Sequence, residues 1–189
     1  MRKLFSIFAL VLLYVGITFG QAAIDIPLTL TDNQGGTKQL RFGLDPAATN
    51  NIDPALGESD LPPFPPTGVF EARWTLNFAP ISLNLSSYWD YRNAPAFPFT
   101  GPVTHRILWQ YSEFATSMTF TYNLPVGAEM VITSNNSTPL WTTGTLTGSG
   151  TYVLSDPDNE YTAARVFVTY TNIAPIVLGP AIDLAPSSL

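Results

Sequence analysis

From Ile24 onward, apolar residues recur at every second position, the spacing at which side chains alternate across a β-sheet. In Gly68–Leu76, one face collects Phe70, Ala72, Trp74 and Leu76, and the other Val69, Glu71, Arg73 and Thr75. Ser117–Asn123 repeats the pattern, with Met118, Phe120 and Tyr122 inward. The same rhythm marks Ile24–Leu30, Lys38–Phe42, Ile81–Trp89, Thr104–Tyr111, Glu129–Thr133, Gly150–Leu154 and Arg165–Tyr170. These runs favour the β-branched and aromatic residues that pack well on a pleated surface. Turn chemistry separates them, as in Asp32-Asn33-Gln34-Gly35-Gly36 and Leu124-Pro125-Val126-Gly127. No window beyond the N-terminal apolar run carries helical spacing. The pattern predicts an all-β fold, a two-sheet antiparallel sandwich (Ig-like or jelly-roll) of about nine strands.

The N-terminus follows a different logic. Met1-Arg2-Lys3 is basic, Leu4–Phe19 is apolar, and Gly20-Gln21-Ala22-Ala23 is small-residue rich. That is the layout of a secretory signal peptide, predicted over residues 1–22 with cleavage after Gly20 or Ala22. The apolar run is shorter than the roughly 20 residues needed to cross a bilayer, so no membrane span is expected after cleavage. The predicted mature chain, 23–189, reads as a single sandwich domain. Its expected location is extracellular or on the cell surface, or the periplasm if it is retained.

Composition narrows the chemistry. The chain has 14 acidic and 8 basic residues, a net charge of -6, which argues against a nucleic-acid partner. It has no cysteine, which excludes disulfides, zinc-finger sites and a thiol nucleophile. A secreted fold must then rest on its core, a combination more typical of bacteria.

Residues 44–67 break the alternation. They hold Pro46, Pro54, Pro62, Pro63, Pro65 and Pro66 together with Asp45, Asp53, Glu58 and Asp60. Such a segment cannot be a central strand, and Leu61–Pro66 favours extended polyproline geometry. The expectation is an ordered loop lying over the sandwich.

The Asp45–Arg73 block carries a resemblance. Phe42-Gly43-Leu44-Asp45-Pro46-Ala47-Ala48-Thr49, then Ile52-Asp53, Gly57-Glu58, Leu61-Pro62-Pro63-Phe64-Pro65-Pro66 and Ala72-Arg73-Trp74, resemble a β-rich module of secreted and cell-surface proteins of the Bacteroidetes–Chlorobi–Ignavibacteria group. Tyr122-Asn123-Leu124-Pro125 and Leu146–Tyr152 are similar to its second half. The resemblance implies secretion and a surface module, and implies no particular chemistry. Such proteins often carry a type IX secretion sorting domain, which the sequence ending Pro180–Leu189 does not contain.

Several residues are candidates for a site. Asp45, Asp53, Glu58 and Asp60 could supply oxygens to a structural calcium ion. The blander alternative has Asp45 and Asp53 capping turns and Glu58 and Asp60 solvated. Asp156, Asp158 and Glu160 form a second, weaker acidic set. Tyr88, Trp89 and Tyr91 offer an aromatic platform for a sugar. Glu71, Glu113 and Glu129 are the carboxylates available to a small glycosidase, although Glu71 and Arg73 read as a surface ion pair. His105 is the only histidine and lacks a Gly-x-Ser-x-Gly companion, so it reads as structural.

The expected function is therefore a non-enzymatic structural or adhesive module. Its partners would be other surface or envelope proteins or a second copy, with strand Ile24–Leu30 a candidate for pairing with a neighbour's sheet edge. A carbohydrate-binding module with a polysaccharide partner is the alternative, and a small glycosidase the third.

Overall fold

The computed structural model describes residues 21–75 and 85–175. Residues 1–20 of the predicted signal peptide and Ile81–Asn84 lie outside them. The described residues form ten strands: β1 (Ile24–Asp32), β2 (Thr37–Asp45), β3 (Glu71–Thr75), β4 (Ser86–Ser87), β5 (Trp89–Asn93), β6 (Phe99–Gln110), β7 (Ser117–Asn123), β8 (Ala128–Ser134), β9 (Ser149–Ser155) and β10 (Ala163–Ile173). They form two five-stranded sheets, ordered β5-β2-β1-β7-β9 and β4-β3-β6-β10-β8. No α-helix occurs among the described residues. The two-sheet all-β reading holds, with one refinement: β5 joins β2 in parallel, with Arg41 opposite Trp89.

Alternation builds the core as expected. Ile26, Leu28, Leu30, Leu40, Phe42, Met118 and Phe120 come from the first sheet, and Trp74, Ile107, Val166, Val168, Met130 and Ile132 from the second; all are fully buried. Each large buried side chain contributes about 1.5–3 kcal/mol of burial free energy, enough for a sandwich that has no covalent staple. Edge-on aromatic contacts such as Trp109–Phe120, at 5.7 Å between centroids, help lock the sheets in place.

Three expectations need correction. The strand predicted over Ile81–Trp89 is interrupted: Ser86–Ser87 pair with β3, and after a bend at Tyr88 the chain enters the other sheet as β5. Strand β1 is interior to its sheet over most of the predicted span: β2 pairs with Ile24–Thr31 and β7 with Leu28–Asp32, which leaves one side of Ile24–Pro27 unpaired by either strand. Finally, Glu71, Arg73 and Thr75 do not face solvent, since every residue of β3 is buried.

The cause of that burial is the proline-rich segment. Its first half lies outside β5, where Ala48 and Leu56 pack with Ala22, Tyr91 and Trp89 in a small second core. A one-turn 3-10 helix at Pro54–Leu56 ends at Gly57, whose φ of 87° and contact with the Trp89 ring leave no room for a Cβ. The second half rounds the sandwich edge onto the outer face of β3. There Pro62 O accepts a hydrogen bond from Arg73 Nη1, and the Arg73 guanidinium sits 4.1 Å from the Phe64 ring centroid. Gln110 Nε2 donates to Pro65 O, Pro66 O and Val69 O. Prolines suit this role because they present carbonyls at fixed geometry and bring no N–H that would need a partner. The segment thus lies as a cover over β5 and β3.

Candidate functional site

The acidic residues of the cover serve the backbone. Asp45 accepts from the amides of Ala23 and Ala47, at 3.1 and 2.8 Å. Asp53 accepts from the Thr49 amide and hydroxyl. Glu58 is 2% exposed, not solvated, and accepts from the amides of Asp53 and Tyr91 at 2.9 and 2.8 Å. Burial pushes its carboxyl up to about 7, against the downward pull of the Tyr91 and Asp53 amides. Asp60 is exposed and accepts from the Ser86 amide. Among the described residues, no three His, Cys, Asp or Glu side chains gather as a metal-binding group. The four carboxylates are spread along the loop as caps for amides.

Asp156 acts likewise. It is buried and accepts from the amides of Glu160 and Tyr161, while Asp158 and Glu160 are exposed. Sequence reasoning missed Asp32, which is also buried and receives the amides of Gln34, Gly36 and Ser112. Its place at the head of a Gly-Gly hairpin was the available signal.

The proposed aromatic platform is split. Tyr88 turns toward Lys38, whose ammonium lies 4.4 Å from the ring centroid, and the Tyr88 hydroxyl donates to Glu71. Tyr91 is only 3% exposed and its hydroxyl donates to Asp25, so it offers no face to a sugar. Trp89 is half-buried against Gly57 and lines a cavity of about 380 Å³ with Asp25, Arg41, Leu56 and Tyr91. Three rings in sequence do not make one surface here, because β5 is an edge strand under a cover.

Glu71 is likewise buried. It lies 3.5 Å from Lys38 Nζ and 3.7 Å from Arg73 Nη2, a covered cluster in place of the surface pair expected. Glu71 and Glu129 stand at opposite corners of the second sheet: the first is opposite Gln110 at the end of β6, the second opposite Thr169. Glu113 is an exposed turn residue beyond β6. The three do not face one another across a cleft.

His105 is fully buried and has a partner the sequence did not reveal. Its Nδ1 lies 2.7 Å from Asp90 Oδ2 and donates to it, because a carboxylate only accepts. Arg92 holds both Asp90 oxygens, at 2.9 and 3.1 Å, and reaches Asn50 of the cover through Nη1. Phe42 and Trp74 pack edge-on and tilted against the imidazole. The group joins β5 of one sheet to β6 of the other and to the loop above. His105 Nε2 is buried and has no hydrogen-bond partner among the described residues.

The four sheet edges differ. On β5, the outward amides of Trp89 and Tyr91 bond to Ser87 Oγ and Glu58. On β4, Ser86 bonds to Asp60 and to the Leu61 amide. The edge of β8 is paired by the 141–146 segment, through Met130 with Leu146, Ile132 with Thr143, and Ser134 with Trp141. On β9, bonds from Leu124 to Gly148 and from Asp156 to Thr116 fix the ladder phase. Gly150, Tyr152 and Leu154 therefore bond inward to β7, while Thr151 and Val153 direct their amides and carbonyls outward. No described residue pairs with that outer edge.

Compared with protein-family models, characterised proteins and solved structures, the chain matches none.

Proposed function

We propose that the protein is a secreted, non-enzymatic structural or adhesive module of a bacterial surface or envelope, joined to its partner by strand addition along the outer edge of β9. The observation that carries this reading is the contrast among the edges: three are capped by side chains or short segments, and β9 is bare among the described residues. A bare edge is a template for another strand. The sequence Ser149-Gly150-Thr151-Tyr152-Val153-Leu154-Ser155 lacks the lysine, proline or bulge that commonly blocks such pairing. It carries no charge either, so two copies can align antiparallel without repulsion between facing side chains. A second copy is the simplest partner, and its β9 would join two five-stranded sheets into one. Secretion rests on the N-terminal leader, and the surface setting on the resemblance of the Asp45–Arg73 block.

Light scattering across a concentration series of the chain starting at Ala23 tests this. The expected result is a concentration-dependent dimer that Val153→Lys abolishes. A monomer at every concentration, or a dimer unaffected by Val153→Lys, would overturn the reading.

A further inference from the structure

Beyond the leader the chain has six cationic side chains, and four of them are committed. Lys38 and Arg73 pair with Glu71, Arg41 with Asp25, and Arg92 with Asp90. Arg106 and Arg165 form no ion pair among the described residues, and they stand directly opposite each other across β6 and β10. Like charges facing each other in an antiparallel pair are destabilising. In a chain with 14 acidic residues, this is an unfavourable place for the two free cations unless something anionic joins them.

Local detail points the same way. Among the described residues, Arg106 Nε is buried with no hydrogen-bond partner, and the Arg165 guanidinium has the Asn135 carbonyl alone, at 3.4 Å. Burial, and after it Arg165, disfavours the charged form of Arg106. The sheet register sets their neighbours on the outer face. Thr133 lies beside Arg165, Leu108 and Ala163 form the next row on one side, and Thr104 with the partly exposed Phe167 forms the row on the other. None is a carboxylate; Glu129 lies two rows away, and the 76–84 stretch contains no Asp or Glu.

Beside this pair, the outer face opens into two clefts under the proline-rich cover, of about 450 and 640 Å³, with Phe64 and Leu108 shared between them. Their polar lining is mostly uncharged, including Gln110, Asn159 and Thr162 in one and Thr75 and Ser86 in the other. Asp60 and Arg73 also line the larger cleft.

We propose that Arg106 and Arg165 together bind the carboxylate of an acidic sugar, whose neighbouring rings run into the clefts beside Leu108. Two planar guanidiniums can each present paired N–H donors to one carboxylate. The hydroxyl groups of adjoining rings suit a lining of amides, hydroxyls, one carboxylate acceptor and the Arg73 guanidinium donor. A densely charged peptide or polyphosphate would meet Asp60 and lacks a use for the uncharged lining. The site is on a different face from the β9 edge and stands independently of self-association.

The test is calorimetric titration with a tetragalacturonate, its carboxyl-reduced neutral counterpart and a hexaglutamate peptide. The expected result is saturable binding of the uronate that weakens in 0.5 M salt, with no binding of the neutral sugar. Arg106→Gln with Arg165→Gln should lower the affinity at least tenfold, and Arg165→Lys should lower it less. Unfolding midpoints provide the folding control: Arg165→Gln is expected to leave the midpoint unchanged or raise it, because it relieves repulsion. Failure of the uronate to bind, equal binding of the neutral sugar, tighter binding of the peptide, or indifference to the double substitution would each overturn the proposal.

Discussion

The β4–β5 side of the sandwich and the β9 side meet the same problem in opposite ways. Each ends a sheet and so exposes a row of amides and carbonyls. On the first side a proline-rich loop wraps from the outer face of one sheet to that of the other, and Glu58 and Asp60 take the spare amides. Charge is buried there in paired form, as Asp90 with Arg92 and His105, and Glu71 with Lys38 and Arg73. On the second side the strand is uncharged, and no described residue pairs with its outer edge. Closure by side-chain caps makes stability depend on a few polar groups. An open edge leaves stability to the core and reserves the backbone for a partner.

The largest expected effect lies on the covered side. Asp90→Ala would leave Arg92 and His105 facing one another without their carboxylate. Breaking a buried pair from one side typically costs about 3–5 kcal/mol, because the remaining charge stays desolvated. Urea denaturation should show a loss of that size. An effect under about 1 kcal/mol would mean that the trio does not bolt the sheets together.

Glu58 comes next. Glu58→Ala strands the amides of Asp53 and Tyr91, and at about 1–3 kcal/mol per buried unsatisfied group the expected loss is about 2–6 kcal/mol. Its ionisation gives a smaller, directional signal. A carboxyl raised in the folded state to about 7 binds protons more readily than in the unfolded chain. Its contribution is therefore fully present below about pH 4.5 and is lost as pH rises through about 7. After solvent screening that is about 1–2 kcal/mol. The difference in unfolding free energy between the wild type and Glu58→Gln, followed from pH 4.5 to 8, isolates it from the other carboxylates. A difference that stays flat across that range would remove Glu58 as the titrating group.

The same two sides differ in how much the sequence discloses. Alternation placed Trp74, Phe120 and Val168 in the core, because a period of two needs only neighbours along one strand. Prolines at 62, 63, 65 and 66 announced a cover, since they exclude a central strand. The outward face of β3 misled because alternation marks which residues share a face and says nothing about a second layer above it. Glu71 and Arg73 looked solvated for that reason. Asp90 and His105 are fifteen positions apart and meet across two sheets, so no local pattern could pair them. Tyr88 and Tyr91 are close in sequence, yet the bend between sheets sends their rings in different directions. The open edge of β9 was not legible either, because edge and centre are properties of sheet order.

The smallest effect on stability is the sharpest probe of the comparison. Val153 is 59% exposed, and its amide and carbonyl point away from β7. Val153→Lys removes no ladder bond and little buried surface, so the unfolding free energy of the monomer should change by no more than about 0.5 kcal/mol. The added ammonium would nevertheless face its own copy across an antiparallel junction, where edge lysines oppose strand pairing. Urea denaturation at low protein concentration should therefore superimpose on the wild type, while scattering at high concentration separates the two. A loss above about 1 kcal/mol in the dilute monomer would show that β9 already has an intramolecular partner along its outer edge. In that event both sides of the sandwich would be closed, and the difference between them would lie only in what closes them.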